Sequence, residues 1–480
     1  MENAKQQVIS GVFFTAIAKY ANLVISLGVT AVLARLLSPE QFGVIAVAMV
    51  IIAFLNLIAD IGLFPAVIQY KNLTKDELGN LFSISCYLGF ILALILVLIA
   101  PLIADYYGQP LLRNIIRLLA IGLFFTASSV VPNALFYRER MFKFIAIRSF
   151  IIQIVLGAVS ISAAFYGAGI YALLINPILY SILLFIVSYV HFPLPFKLRI
   201  SLNTIRPILR YSTFQFLFNI VNYFSKNSDT LLIGRYLGIN ILGYYDKAYQ
   251  LMSLPLQNIT QVITPVIHPI LSLKKEDKMQ LIAATEQLIT ILALIGFPLA
   301  SFLYFAAEDL IYLFFGAQWG TAVPVFQILS LTVGIQLILS SSGSIFQTTG
   351  DTKYMFFSGL LSALLNVCGI LLGIFYFEAI SAVAGCLVIT NCITFVFTYA
   401  IMYTKVFNRN FLCFFYLLAK PVMAGLLLTF LLYMCGIFLR TEIVWYKLFV
   451  KIVVSSLFFI AFVWFAGYRS YIELYLKRNN

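Results

Sequence analysis

Apolar runs of span length follow one another along almost the whole sequence, from about Ile9 to Val463. A transmembrane helix needs roughly 20 predominantly apolar residues, so each run is long enough to cross a bilayer. Composition points the same way: 62% of the 480 residues are hydrophobic and only 10% are charged. A soluble chain of this length needs more polar residues than that to cover its surface. The runs are continuously apolar, whereas the strands of a membrane barrel alternate. The first run, from about Ile9 to Leu33, exceeds the apolar region of a signal peptide and lacks a small-residue cleavage site. The expectation is an all-α integral membrane protein.

Spans are predicted near 9–34, 42–69, 79–104, 112–136, 144–166, 169–190, 209–235, 242–271, 281–306, 322–347, 354–377, 379–403, 412–438 and 446–467, about 14 transmembrane helices in all. The longest connection, His191 to Arg210, carries Pro193, Pro195 and Pro207 with Lys197, Arg199, Arg206 and Arg210. It separates an N-terminal six-helix bundle (1–190) from a second (211–405), and residues 406–480 form two further helices and a tail. Basic residues set the orientation, because Lys and Arg gather on the cytoplasmic side. With the N-terminus inside, that side holds Lys71, Lys75, Arg138, Arg140, Lys143, the basic connection, and Lys274, Lys275 and Lys278. The opposite side holds fewer, among them Arg35, Arg113, Arg117, Arg235, Lys247, Arg440, Lys447 and Lys451. Both termini are therefore expected in the cytoplasm. The net charge of +13 reports this topology and contact with anionic lipid, and requires no nucleic acid.

The chain also repeats itself. Thr30 to Gly43 reads TAVLARLLSPEQFG, and Thr230 to Gly243 reads TLLIGRYLGINILG, with Thr, Arg, Leu and Gly coinciding two hundred positions apart. A fainter echo pairs Phe136 with Phe346, Lys143 with Lys353 and Ile170 with Ile380. The competing reading is chance similarity among apolar segments. Six helices separate the copies, so they share one orientation, as in transporters whose halves are related by an axis along the membrane normal.

Catalytic signatures are scarce. Two histidines occur, His191 and His268, and no phosphate-cradling loop, metal-ligand spacing or nucleophile elbow is found. The six cysteines lie in apolar spans and read as small hydrophobes. No connection is long enough to fold as an extramembrane domain, which argues against a polymerase or glycosyltransferase. No cofactor is implied, although coupling to a proton or sodium gradient is compatible with the acidic residues described next.

Ionisable groups at bilayer depth are costly and mark functional positions. Lys19 lies near the middle of the first span, about 15 Å from its start at 1.5 Å per residue. Asn22 and Ser26 follow on the same helical stripe. Lys19 reads either as a cation for an anionic substrate or as the partner of a carboxylate such as Asp60. The seventh span carries Gln215, Asn219, Asn222, Lys226 and Asp229 at spacings of three and four, and Lys226 with Asp229 could neutralise each other. The eighth adds Gln250, Gln257, Asn258, Gln261 and His268. Lys19 and Asn219 are two hundred apart, so polar faces at matching repeat positions predict a cavity between the halves. The plainer alternative is interhelical hydrogen bonding, worth ~0.6 kcal/mol on average. Arg148 sits about a turn inside the fifth span, where it could snorkel to the cytoplasmic face.

Four segments carry a resemblance: ARLLSPEQFG (Ala34–Gly43), ADIGLFPAVIQYKNLT (Ala59–Thr74), SDTLLIGRYLG (Ser228–Gly238) and LGYYDKAYQL (Leu242–Leu251). Together they resemble the bacterial polysaccharide flippases of the Wzx type, in the colanic and teichuronic acid branch of the multidrug/oligosaccharidyl-lipid/polysaccharide exporters. Ser228 departs from the leucine that many relatives place before the aspartate. The resemblance implies two six-helix bundles in a V plus two C-terminal helices. It implies flipping of an undecaprenyl-diphosphate-linked oligosaccharide from the cytoplasmic to the periplasmic leaflet, with membrane lipids, a polysaccharide polymerase and export machinery as partners. On that reading Lys19, Asn22, Arg148, Asn219, Asn222 and Lys226 meet the diphosphate and glycan, while Asp60 and Asp229 serve ion coupling or charge pairing. A drug or metabolite exporter of the same superfamily is the alternative.

Overall fold

The computed structural model describes residues 2–199, 206–273, 277–438 and 443–465, and the side chains of these except 2–15, 206–218, 221 and 262–273. The described chain is helical throughout, in the order α1 (Glu2–Leu36), α2 (Pro39–Asp60), α3 (Leu63–Gln69), α4 (Lys75–Tyr107), α5 (Pro110–Arg138), α6 (Phe142–Phe165), α7 (Ala172–His191), α8 (Arg206–Tyr236), α9 (Ile239–Leu273), α10 (Lys278–Phe305), α11 (Ala307–Phe314), α12 (Ala322–Ser330), α13 (Val333–Leu339), α14 (Ser342–Thr349), α15 (Thr352–Phe375), α16 (Ile380–Ile401), α17 (Leu412–Phe438) and α18 (Val444–Phe465). Among the described residues eleven spans are long and apolar enough to cross a membrane. A twelfth is added if α12 and the α13–α14 stretch, bent by 47° at their break, form one span. The expected fourteen also counts α8 and α9, parts of which lie outside the described side chains, so the number fourteen is not confirmed. The chain is a multi-pass membrane protein.

Local chemistry sets the breaks. Ser38 caps α2: its Oγ accepts from the Gln41 N–H (3.4 Å), and the Gln41 Oε1 accepts from the Ser38 N–H (3.0 Å). Thr74 and Glu77 make the same reciprocal box at α4. Asp277 caps α10 through the N–H groups of Met279 and Gln280, and the Gln280 N–H above all holds its carboxyl below the usual range. The expected span 42–69 is interrupted at Ile61 and Gly62, both left-handed. Asp60 Oδ1 then accepts from the Phe64 N–H at 3.1 Å, satisfying a donor that the restarted helix α3 leaves open.

Repeat and structure coincide. The α1–α2 break, Leu36 to Pro39, and the α8–α9 break, Tyr236 to Ile239, lie two hundred positions apart at both edges. The fainter echo is matched too, since α6 (Phe142–Phe165) and α15 (Thr352–Phe375) are offset by 210 at both ends. At the first pair the two helix starts meet. A Cβ on Gly43 would lie 1.9 Å from the carbonyl oxygen of Ile239, and one on Gly243 would lie 1.9 Å from that of Pro39. Pro39 and Ile239 are themselves repeat equivalents, so the contact is reciprocal, and only glycine permits so close a backbone approach.

Internal contacts divide the chain into two compact units, residues 1–243 and 244–480. This cut follows contact density, whereas the division expected at 191–210 follows the repeat. Helix α8 falls in the first unit because it packs on α2 and α4. The Tyr223 hydroxyl donates to the Val50 carbonyl, Phe54 lies 4.9 Å from Phe224, and the Tyr107 hydroxyl donates to the Leu231 carbonyl at 3.3 Å. In that unit α4 packs along α5, α5 along α7 and α1 along α6. The first part of the basic connection is strapped to α4. Leu194 is buried with Leu63, Leu81 and Leu135, the Lys197 N–H donates to Ser83 Oγ at 2.6 Å, and the Lys197 ammonium pairs with Asp76 at 3.0 Å. In the second unit α10 packs against α13 and α17. Tyr399, Tyr403 and Phe414 fill its core with Leu337 and Ile338. Large apolar side chains remain exposed along single faces, as at Leu94, Leu98 and Leu102 of α4. That pattern suits hydrocarbon, not water.

The glycine crossing yields a coupled prediction. Gly43→Ala and Gly243→Ala should each lower stability by about 1–3 kcal/mol through overpacking. The double variant should cost less than the sum, because separating the helix starts for one methyl makes room for the other. Thermal unfolding of the detergent-solubilised protein measures this, and strict additivity would contradict the reciprocal contact.

Candidate functional site

In the first unit the polar stripe of α1 is present. Lys19 is half-buried, and its ammonium lies 5.9 Å from the ring centroid of Tyr20. Among the described residues no carboxylate lies within ion-pair distance of Lys19. The suggested pairing with Asp60 is therefore not made, because Asp60 instead faces the Phe64 N–H. Asn22, one turn further, has a buried Oδ1 with no hydrogen-bond partner, as does Asn56 of α2. Ser26 is exposed.

Arg148 takes a different position from the one its spacing suggested. It is 7% exposed and does not snorkel. Its Nη1 donates to Ser188 Oγ at 3.0 Å, its Nη2 donates to Asn133 Oδ1 at 2.9 Å, and its guanidinium lies 4.9 Å from the centre of the Phe136 ring. One side chain of α6 therefore ties α5 to α7. A planar fork with several fixed donors suits this task better than an ammonium does.

On α8, Asn219 is half-buried, Asn222 and Lys226 are exposed, and Asp229 is buried, with its Oδ1 accepting from the Thr230 N–H at 2.7 Å. Lys226 pairs with no carboxylate among the described residues, so the mutual neutralisation considered for Lys226 and Asp229 does not occur. The side chains of Gln215 and His268 lie outside the described residues. In the second unit α9 bears Gln257, which donates to Ser253 Oγ at 3.3 Å, and Asn258, which donates to the Leu254 carbonyl at 2.8 Å. These two satisfy their own helix.

The sequence reading missed three charge clusters of the second unit. Lys247 of α9 is buried, with its ammonium 3.0 Å from Asp246 and 2.7 Å from Gln250 Oε1. Asp309 of α11 is buried against Lys451 of α18 at 2.5 Å, and that ammonium also donates to the Phe305 carbonyl at 2.8 Å. Glu286 of α10 meets Arg409 at 3.2 Å, beside Tyr403 in the π-helical stretch Met402–Val406. Lone acidic residues inside apolar runs, Glu286 above all, were the available signal.

A family model described as "Polysaccharide biosynthesis protein" matches residues 32–324. The chain is similar to the "Lipopolysaccharide biosynthesis protein WzxC" of Escherichia coli (strain K12), 25% identical over 444 residues, 92% of this chain and 89% of that one. It is also similar to the "Teichuronic acid biosynthesis protein TuaB" of Bacillus subtilis (strain 168), 25% identical over 75% of this chain and 76% of that one. Among solved structures, a "Lipid II flippase MurJ, inward closed conformation" shares the fold with a TM-score of 0.78 at 15% identity, across 96% of this chain and 100% of that one.

The Arg148 geometry predicts a structural phenotype. Arg148→Met should lower unfolding stability by about 2–4 kcal/mol, since it deletes two charge-assisted hydrogen bonds and leaves Asn133 and Ser188 without their donor. Arg148→Lys should fall between, as one ammonium cannot span both partners in the same plane. Unfolding in detergent tests this; a stable Arg148→Met protein that no longer functions would instead place Arg148 against substrate.

Proposed function

The chain belongs to the polysaccharide biosynthesis protein family, and from that premise we propose that it is a flippase for a lipid-linked oligosaccharide. It moves an undecaprenyl-diphosphate-linked repeat unit from the cytoplasmic to the periplasmic or outer leaflet of a bacterial cytoplasmic membrane, by alternating access, and makes or breaks no covalent bond. Family membership joined to a fold shared end to end with a lipid II flippase carries the reading. One comparison gives the polysaccharide context and the other a saccharide on a lipid carrier. The basic residues support an orientation with both termini in the cytoplasm.

The proposed chemistry starts from Lys19. A half-buried ammonium without a carboxylate is costly at bilayer depth, and a diphosphate supplies the missing counter-charge. Asn22 contributes a carboxamide oxygen that lacks a donor, which a sugar hydroxyl can provide. Asn219, Asn222 and Lys226 offer a second set of polar contacts on α8. Asp60 and Asp229 are the candidate carboxylates for coupling to a proton or sodium gradient. A polysaccharide polymerase and export machinery take up the product downstream.

Purified protein in vesicles carrying a labelled lipid-linked repeat unit tests this, read as the fraction of saccharide reaching the opposite leaflet. Transfer should require the protein. Lys19→Ala should raise the half-saturating substrate concentration by roughly ten- to a hundredfold, the value of one charge-assisted hydrogen bond, with Lys19→Arg retaining most of the activity. Export of small cations with no saccharide transfer would favour a drug exporter instead.

A further inference from the structure

Resting on that reading, we infer that each copy of the repeat carries a clamp on the chain that leaves it, and that both clamps stay closed through the transport cycle. Helices α4 and α10 hold the same place in the two copies, each following the helix pair that carries the duplicated segment. Helices α7 and α16 also correspond, since they follow the matched helices α6 and α15. Asp76 and Ser83 are the second and ninth residues of α4, and Met279 and Glu286 are the second and ninth of α10. Seven residues make about two turns, so both positions share one face of the helix. In each unit that face holds one basic residue of the departing chain. After α7, Lys197 gives its ammonium to Asp76 at 3.0 Å and its backbone N–H to Ser83 Oγ at 2.6 Å. After α16, Arg409 gives its Nη1 to Glu286 Oε1 at 3.2 Å and turns its Nη2 to Met279 Sδ at 3.7 Å. The carboxylate stands at the second position in one copy and at the ninth in the other; the clamped cation is common to both.

Neither clamp rests on its ion pair alone, which contributes little where it is exposed. Gly79, one turn before Ser83, admits the strap closely: a Cβ there would lie 2.7 Å from the Pro195 carbonyl oxygen. Pro193 and Pro195 have no N–H to leave unmet, so an extended chain can lie on a helix that offers it no ladder. Leu194 is buried, its carbonyl accepts from the Tyr189 hydroxyl at 3.4 Å, and the Phe196 ring lies 5.4 Å from that of Tyr87. In the second unit Phe407 is buried in the core, and the Arg409 N–H donates to the Tyr403 carbonyl at 2.9 Å. The Tyr403 hydroxyl also donates to Glu286 Oε1 at 3.5 Å, so one residue of the π-helical stretch braces both partners. Opening either clamp exposes apolar side chains and leaves a backbone N–H without its acceptor. Rocking of one half against the other is therefore absorbed outside the clamped segments, which move as parts of their own units.

Bridging each clamp tests this in the full chain, with the six native cysteines replaced by alanine. Lys197→Cys is paired with Asp76→Cys, and Arg409→Cys with Met279→Cys. A short bis-thiosulfonate joins each pair, and a reductant releases it. The probe is an undecaprenyl-diphosphate-linked saccharide in phospholipid vesicles. Each bridged protein should transfer saccharide within about twofold of its unbridged rate, a negligible change in the barrier. A larger loss that the reductant reverses overturns the inference. If the unsubstituted chain transfers nothing, the flippase reading fails, and the clamps are then judged by distance alone. Spin labels for that purpose replace exposed residues, Lys75 with Leu198 in the first unit and Lys278 with Leu412 in the second. A single distance population in each pair, with and without the saccharide lipid, upholds the clamps; a second, longer population in either pair overturns them.

Discussion

Inside hydrocarbon a backbone N–H or C=O has no water to turn to, and each one left unpaired costs several kcal/mol. That single requirement accounts for the helical character of the described chain. It also removes the driving force that packs soluble helices, since lipid is as apolar as leucine. Contacts between helices then depend on how closely backbones can approach and on the few polar groups placed between them. Glycines at the helix starts, Gly296 against Gly334, and the Tyr399 hydroxyl on the Ile338 carbonyl (2.8 Å) are all instances of this economy.

Seen this way, the buried charges divide by how they are compensated. Asp309 and Lys451 neutralise each other and hold α18, a helix otherwise turned mostly to lipid, against α11. Arg148 is compensated by neutral oxygens and an aromatic face, which fixes three helices without a counter-charge. Lys19 has neither arrangement among the described residues. A group in that condition is inexpensive only when a ligand supplies what the fold does not, and this difference separates it from Arg148 and Lys451.

Much of the fold was legible because its cause is local. Apolar length marked the helices, and the repeated TAVLARLLSPEQFG and TLLIGRYLGINILG segments marked a boundary that recurs at the same offset in the structure. The breaks were less legible. Asp60 reads as an intramembrane charge, yet its carboxylate serves the restart of a helix at Phe64. Similarly, nothing in the spacing of Arg148 reveals Asn133 and Ser188, fifteen and forty positions away. Long-range pairs such as Glu286 with Arg409 and Asp309 with Lys451 stayed hidden because periodicity describes the face of a helix and not the helix it meets.

The crossing at Gly43 and Gly243 has a form usually met elsewhere. Position 43 touches the backbone of 239, and position 243 touches that of 39, so each copy of the motif presents the same residue to the same feature of the other. A residue i against j, answered by j against i, is the signature of an isologous interface between two identical subunits. Here it is written within one polypeptide, so the two motifs constrain each other as the faces of a homodimer do. Unlike a homodimer, the chain can vary one face alone.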